Sequence, residues 1–168
     1  MLQSSTGPRR MATVAGAAAL SALVFASARA QSPQPAGPSP TKVAVENRKA
    51  AFSLIGNYFR YFGGVAKGTV AYDEAEATKR AARIAFLSGL LEESFPEGSN
   101  VGEPDSKAKA DVWSNRADFD KKLKDFQTHA QAFVDINAKE KGATDGLKTA
   151  IASLAQDCKG CHDSYKAK

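Results

Sequence analysis

Leu147-Lys148-Thr149-Ala150-Ile151-Ala152-Ser153-Leu154-Ala155-Gln156-Asp157-Cys158-Lys159-Gly160-Cys161-His162-Asp163-Ser164-Tyr165 is the stretch on which the fold turns. Leu147, Ile151, Leu154, Cys158, Cys161 and Tyr165 recur at intervals of 4, 3, 4, 3 and 4. That spacing puts all six on one face of a helix. Two cysteines and the residues around them therefore lie on the inner stripe of a helix, not in a loop.

The same period runs back through the chain. Phe119, Leu123, Phe126, Ala130, Phe133 and Ile136 form a third apolar stripe, starting from about Ser114, with Gly142 separating it from the fourth. Ala77, Ala81, Ile84, Ala85, Leu87, Leu90 and Leu91 form a second, which opens at Asp73-Glu74, acidic residues suited to a helix N-terminus, and closes at Phe95-Pro96. Val45, Phe52, Ile55, Phe59 and Phe62 form the first, with Arg48 continuing it and Gly68 ending it. No stretch alternates in the manner of a strand. Four helices with mostly short connections predict an all-α, antiparallel four-helix bundle over residues 42–168. The exception is the connection 96–111, rich in Pro, Gly, Ser and charge and long enough to suggest a functional role.

The N-terminal residues have another purpose. Residues 1–10 are polar and end in Arg9-Arg10, Met11 to Phe25 are apolar, and Ala28-Arg29-Ala30 is a small-x-small cleavage site. Residues 1–30 thus read as a secretory signal peptide, too short in its apolar core for a membrane anchor. The weak twin-arginine context favours general secretion. Residues 31–41 carry four prolines and read as an extended linker. The formal charge of +5 shrinks once Arg9, Arg10 and Arg29 are removed, leaving 20 basic against 18 acidic residues. No nucleic-acid partner is expected from that balance, and no membrane association after cleavage.

Cys158-Lys159-Gly160-Cys161-His162 is the attachment signature of a c-type haem. Two thiols three residues apart on a helical turn can add to the two vinyl groups of one porphyrin. The adjoining His162 can then reach the iron from one side. A redox C-x-x-C would need a βαβ setting, and a structural zinc site would need four ligands. A plain disulfide would leave His162 unexplained. The expected cofactor is one haem c, covalent through Cys158 and Cys161, with His162 as the metal ligand. The two methionines, Met1 and Met11, both fall within the signal segment, so no methionine is left to complete the iron. His129 or a lysine stays open as a sixth ligand. The bland alternative for His129 is a satisfied surface histidine.

With these residues in place, the chain closely resembles cytochrome c′, of the class II cytochromes c. The resemblance spans residues 42–168 and includes Cys158 to Lys166, Glu46-Asn47-Arg48-Lys49-Ala50, Phe95-Pro96-Glu97-Gly98-Ser99 and Ala110-Asp111-Val112-Trp113. It implies a haem-binding set of Cys158, Cys161, His162, Arg48, Lys49, Phe52, Phe95, Ser99 and Lys166. Arg48 is expected near a propionate, and Phe52 over the vacant face of the iron. Phe95 and Ser99 are expected at the haem edge, and Lys166 on the proximal side. Phe52, Leu54 and Ile55 occupy the region where low-spin relatives carry a methionine ligand. The resemblance thus implies a periplasmic, high-spin, five-coordinate cytochrome that binds nitric oxide and carbon monoxide for sequestration or buffering. The alternative is a low-spin electron carrier of the same class, with its redox partner unassigned. No acid–base pair flanks Phe52, so an enzyme is not expected. A homodimer through the first two helices is also implied, with Tyr58, Tyr61 and Phe86 as contact candidates if they are not core.

Overall fold

The computed structural model describes residues 37–100 and 103–168. The signal peptide expected at 1–30, and most of the expected linker, lie outside the described residues. Five α-helices and one 3-10 turn follow in order: α1 Pro40–Ala66, α2 Glu74–Gly89, the turn Glu92–Ser94, α3 Asp111–Ser114, α4 Arg116–Glu140 and α5 Asp145–Tyr165. The four long helices form the expected antiparallel bundle, and no strand occurs among the described residues.

Three of the four long helices start on a side-chain cap. α1 begins two residues earlier than the sequence reading, because Pro40 fits the first turn and Ser39 Oγ accepts the Lys42 N–H at 3.1 Å. Asp73 caps α2 by accepting the Glu76 N–H at 2.8 Å. Thr144 does the same for α5, taking the Leu147 N–H at 3.1 Å.

The ends depart further from expectation. α2 stops at Gly89 rather than at Phe95, and the 3-10 turn carries the chain onward. The third stripe is split, with α3 separated from α4 at Asn115, whose backbone (φ −121°, ψ 49°) is not helical. α4 ends on Lys141 in the left-handed conformation (φ 48°), one residue before the glycine expected to break it. Lys141 Nζ sits 3.0 Å from Glu74 at the start of α2, an ion pair that accompanies this cap.

The apolar stripes meet as anticipated. Ile55, Phe62, Ala77, Ala81, Ile84, Ala130, Phe133, Leu147, Ile151 and Leu154 form the main core. Phe62 and Phe133, both fully buried, meet edge-to-face at 4.6 Å. Tyr58 and Tyr61 are half-buried against this core, whereas Phe86 is 67% exposed. One buried polar group at this end, Asn137, is satisfied by accepting from the Tyr72 hydroxyl at 3.0 Å and donating to Thr78 Oγ1 at 3.4 Å. α1 packs mainly on α2, and α5 mainly on α4. At the other end of the bundle a second cluster, Phe95, Val112, Phe119 and Tyr165, surrounds an opening. Among the described residues no helix is long and apolar enough to cross a membrane.

Phe133→Ala removes a ring from the sealed end and should cost about 3–5 kcal/mol. Asp73→Ala removes only a cap and should cost about 1 kcal/mol. Denaturant unfolding followed by far-ultraviolet circular dichroism measures both; equal costs would contradict this division of the core.

Candidate functional site

Antiparallel packing brings the start of α1, the end of α2, the start of α4 and the end of α5 to the same end of the bundle. There they leave a cleft of about 470 Å³, within the usual range for a ligand or cofactor site. α5 contributes Cys158, Cys161 and His162 to its wall. α1 contributes Phe52 and Ile55, and α4 contributes Phe119, Leu123 and Phe126. Leu91 and Phe95 close it from the α2 side. The wall is overwhelmingly apolar, with charged side chains such as Lys49, Lys107 and Lys166 among the lining residues.

Both cysteines are free thiols, half-buried in this wall. Burial pushes both thiols above their ordinary pKa; Asp157 adds to the effect at Cys158, and Cys158 adds to it at Cys161. His162 remains exposed, yet desolvation around its ring and then Lys166 hold its pKa below the usual histidine value. A neutral imidazole is the form that binds a metal.

The helix end that carries these groups is fastened. Lys109 N–H donates to Tyr165 O at 2.9 Å, and Ala167 N–H donates to Lys107 O at 2.8 Å, forming a bridge between residues 107–109 and the C-terminus. Lys109 Nζ donates to the carbonyls of Asp163 and Ser164, both at 3.1 Å. These carbonyls lie at the helix end, where cations are favoured. Tyr165, 4% exposed, donates its hydroxyl to Asp118 Oδ2 at 2.5 Å and meets Phe119 edge-on at 5.3 Å. Burial, and then the Asp118 bond, push its pKa up to about 12.

Arg48 is the least expected feature. Its guanidinium is buried, with the residue 4% exposed. Nη1 donates to Ser94 O at 3.2 Å and to Ser99 Oγ at 2.8 Å; Nη2 donates to Ser99 O at 2.8 Å and to Ser106 Oγ at 2.7 Å. The guanidinium also lies 4.9 Å from the centre of the Phe95 ring. Sequence reading placed Arg48 on the inner stripe but missed Ser94 and Ser106, because serines in an irregular segment carry no periodic signal. Ser99 is fully buried and faces Arg48; it is not among the cleft-lining side chains. Lys49 lies at the cleft rim, 3.7 Å from Asp105. Phe52, Phe95 and Lys166 all line the cleft. His129 does not: its Nδ1 is 2.7 Å from Oδ2 of Asp157, which does line the cleft.

A sequence model of the family described as Cytochrome C' matches residues 43–166. The chain belongs to the cytochrome c′ family. It is 34% identical over 126 residues to cytochrome c' of Rubrivivax gelatinosus, covering 74% of this chain and 95% of that one. The structure of cytochrome c prime from Shewanella frigidimarina superposes with a TM-score of 0.71 at 36% identity, covering 79% and 100%. A nitric oxide complex of a cytochrome c prime variant from Alcaligenes xylosoxidans superposes at 0.68 and 28% identity, covering 76% and 97%.

Cytochromes c′ carry covalent c-type haem, and Cys158 and Cys161 supply its attachment pair in this chain. The cleft fits that group on its own chemistry. Two thiols and an imidazole flank an apolar space open to solvent at one edge, and among the described residues no cluster of three or more His, Cys, Asp or Glu is arranged to hold a bare metal ion.

The raised Tyr165 pKa has a definite consequence. The neutral phenol is favoured in the folded state, so its contribution is complete below about pH 10 and is lost as pH rises through about 12. Alkaline unfolding of the wild type should therefore show a loss of stability in that window which Tyr165→Phe lacks. Identical alkaline profiles for the two proteins would show that burial does not raise the Tyr165 pKa in the folded state.

Proposed function

We propose that this cytochrome c′ is an exported, high-spin protein whose haem iron takes His162 on one side and binds nitric oxide, and carbon monoxide, on the other. When bound, the haem supplies a ferrous iron that accepts a diatomic ligand. The residues of the chain set which ligands reach it. The observation that carries the reading is the cleft wall of α1: Phe52 and Ile55 offer no atom that could ligate iron. Beyond residue 11 the chain has no methionine, and His129, which does not line the cleft, is engaged by Asp157. An apolar face excludes water and anions and leaves uncharged gases as the favoured occupants.

Roles for the remaining residues follow from position. Lys49 at the rim is the cation suited to the propionate edge, and Arg48, buried behind it on Ser94, Ser99 and Ser106, adds its charge to that side. Phe95 forms part of the wall beside it. Lys166 follows the ligand helix on the His162 side, where it can act on a gas bound at that face. The nitric oxide complex of the Alcaligenes xylosoxidans relative supports the choice of ligand. The signal peptide at 1–30 supports a periplasmic location, where haem attachment to cysteines takes place, and sequestration or buffering of nitric oxide is the role that suits it. Phe86, Leu90 and Leu54 are exposed apolar residues on α1 and α2 and support a homodimer through these helices.

The second reading, an electron carrier, needs a sixth protein ligand; the candidates in the cleft are Lys49, Lys107, Lys122 and Lys166. The absorption spectrum of the purified ferrous protein separates the two. A broad high-spin spectrum that changes on adding nitric oxide is expected. A sharp low-spin spectrum indifferent to the gas would establish the electron carrier instead.

A further inference from the structure

The four hydrogen bonds of Arg48 reach Ser94, the last residue of the 3-10 turn, and Ser99 and Ser106 beyond it. That segment continues from α2 and contains Phe95. The Phe95 ring is gripped from two sides: the Arg48 guanidinium stands 4.9 Å from its centre, and Phe119 meets it edge-on at 4.8 Å. Phe95 also meets Trp113 at 6.5 Å and Phe52 edge-on at 6.3 Å. Phe52 lines the cleft, and Phe95 is the aromatic ring that meets it. Two further ties hold the same segment to α1: Ser39 Oγ and Thr41 Oγ1 donate to Glu103 Oε1 at 3.2 and 3.1 Å.

We propose that Arg48 is a positioning residue for the gas-binding face: by holding Ser94, Ser99 and Ser106 it fixes Phe95, and Phe95 braces Phe52 across the open side of the cleft. This rests on the reading of Phe52 as the cover of that side. A buried, bidentate guanidinium is suited to the task, because its planar fork sets the direction as well as the distance of each acceptor. Phe52 then swings aside only when its brace yields. The rate at which a gas enters scales with the population of that open arrangement. Once a gas is bound, the brace no longer touches the step that releases it. Arg48 thus governs entry and not departure.

The test uses the haem-loaded protein with Ser99→Ala and Ser106→Ala combined. This variant removes two of the four acceptors and leaves the charge of Arg48, and any role it has toward a propionate, intact. Hydrogen–deuterium exchange read by mass spectrometry should rise within residues 95–106 and stay unchanged in α4. Stopped-flow mixing of the ferrous protein with nitric oxide should show association several-fold faster, with dissociation unchanged. Arg48→Lys should reproduce both effects. Phe52→Ala is the control for the underlying reading and should speed association more than either. Faster exchange with unchanged association, while Phe52→Ala still speeds it, would overturn the role of Arg48 and leave the reading of Phe52 standing. Unchanged association in Phe52→Ala would overturn both. Unchanged exchange in the double variant would show that the segment does not depend on Arg48.

Discussion

The structure depends on a bundle that is closed at one end and held open at the other. At the closed end Phe62, Phe133, Leu147 and Leu154 interdigitate with almost no exposure. At the open end the inner stripe of α5 runs on through Cys158 and Cys161, and the facing stripe of α1 ends in Phe52 and Ile55. α1 leans on α2 and α5 leans on α4, so the space between α1 and α5 is left for a large flat apolar group. Burying a porphyrin there would add hydrophobic contact at the end where α1 and α5 stand apart. The covalent bonds then keep the group on the one helix whose C-terminal end is fastened by Lys109 and the bridge to residues 107–109.

Electrostatics refines this arrangement without driving it. Most of the ion pairs are exposed i, i+3 or i, i+4 pairs along single helices, such as Lys121 with Asp125, and contribute little to stability. The consequential polar groups are few and cluster at the open end of the bundle. Arg48 is pulled below its ordinary pKa by desolvation, which Glu103 counters, and its hydrogen bonds organise an irregular segment. Tyr165 and Asp118 close the wall behind Cys161. The His162 imidazole is biased toward its neutral form by its surroundings. Each of these groups touches the cleft or the wall behind it.

The sequence made the four long helices and their inner faces readable because apolar spacing reports the period of a helix directly. The haem motif was readable for the same reason: Cys158 and Cys161 extend a stripe already established by Leu147, Ile151 and Leu154. Boundaries were less readable. The break at Asn115 and the left-handed Lys141 depend on contacts made by distant parts of the chain, including Arg116 with the Phe95 carbonyl and Lys141 with Glu74. The Arg48 network was invisible for a further reason. Its acceptors are backbone carbonyls and isolated serines in a segment without periodicity, so only the folded chain brings them together. Ser99 was singled out from the family pattern, but its partner was not.

The central claim is that the iron has a histidine on one side and no protein ligand on the other. Resonance Raman spectroscopy of the ferrous protein reads this directly, since an iron–histidine stretching band appears only when histidine is the sole axial ligand. The account predicts that band in the wild type, together with the marker lines of a five-coordinate high-spin haem. Its absence, with the marker lines of a six-coordinate low-spin haem, would contradict the account and place a side chain where Phe52 is expected to leave the iron open.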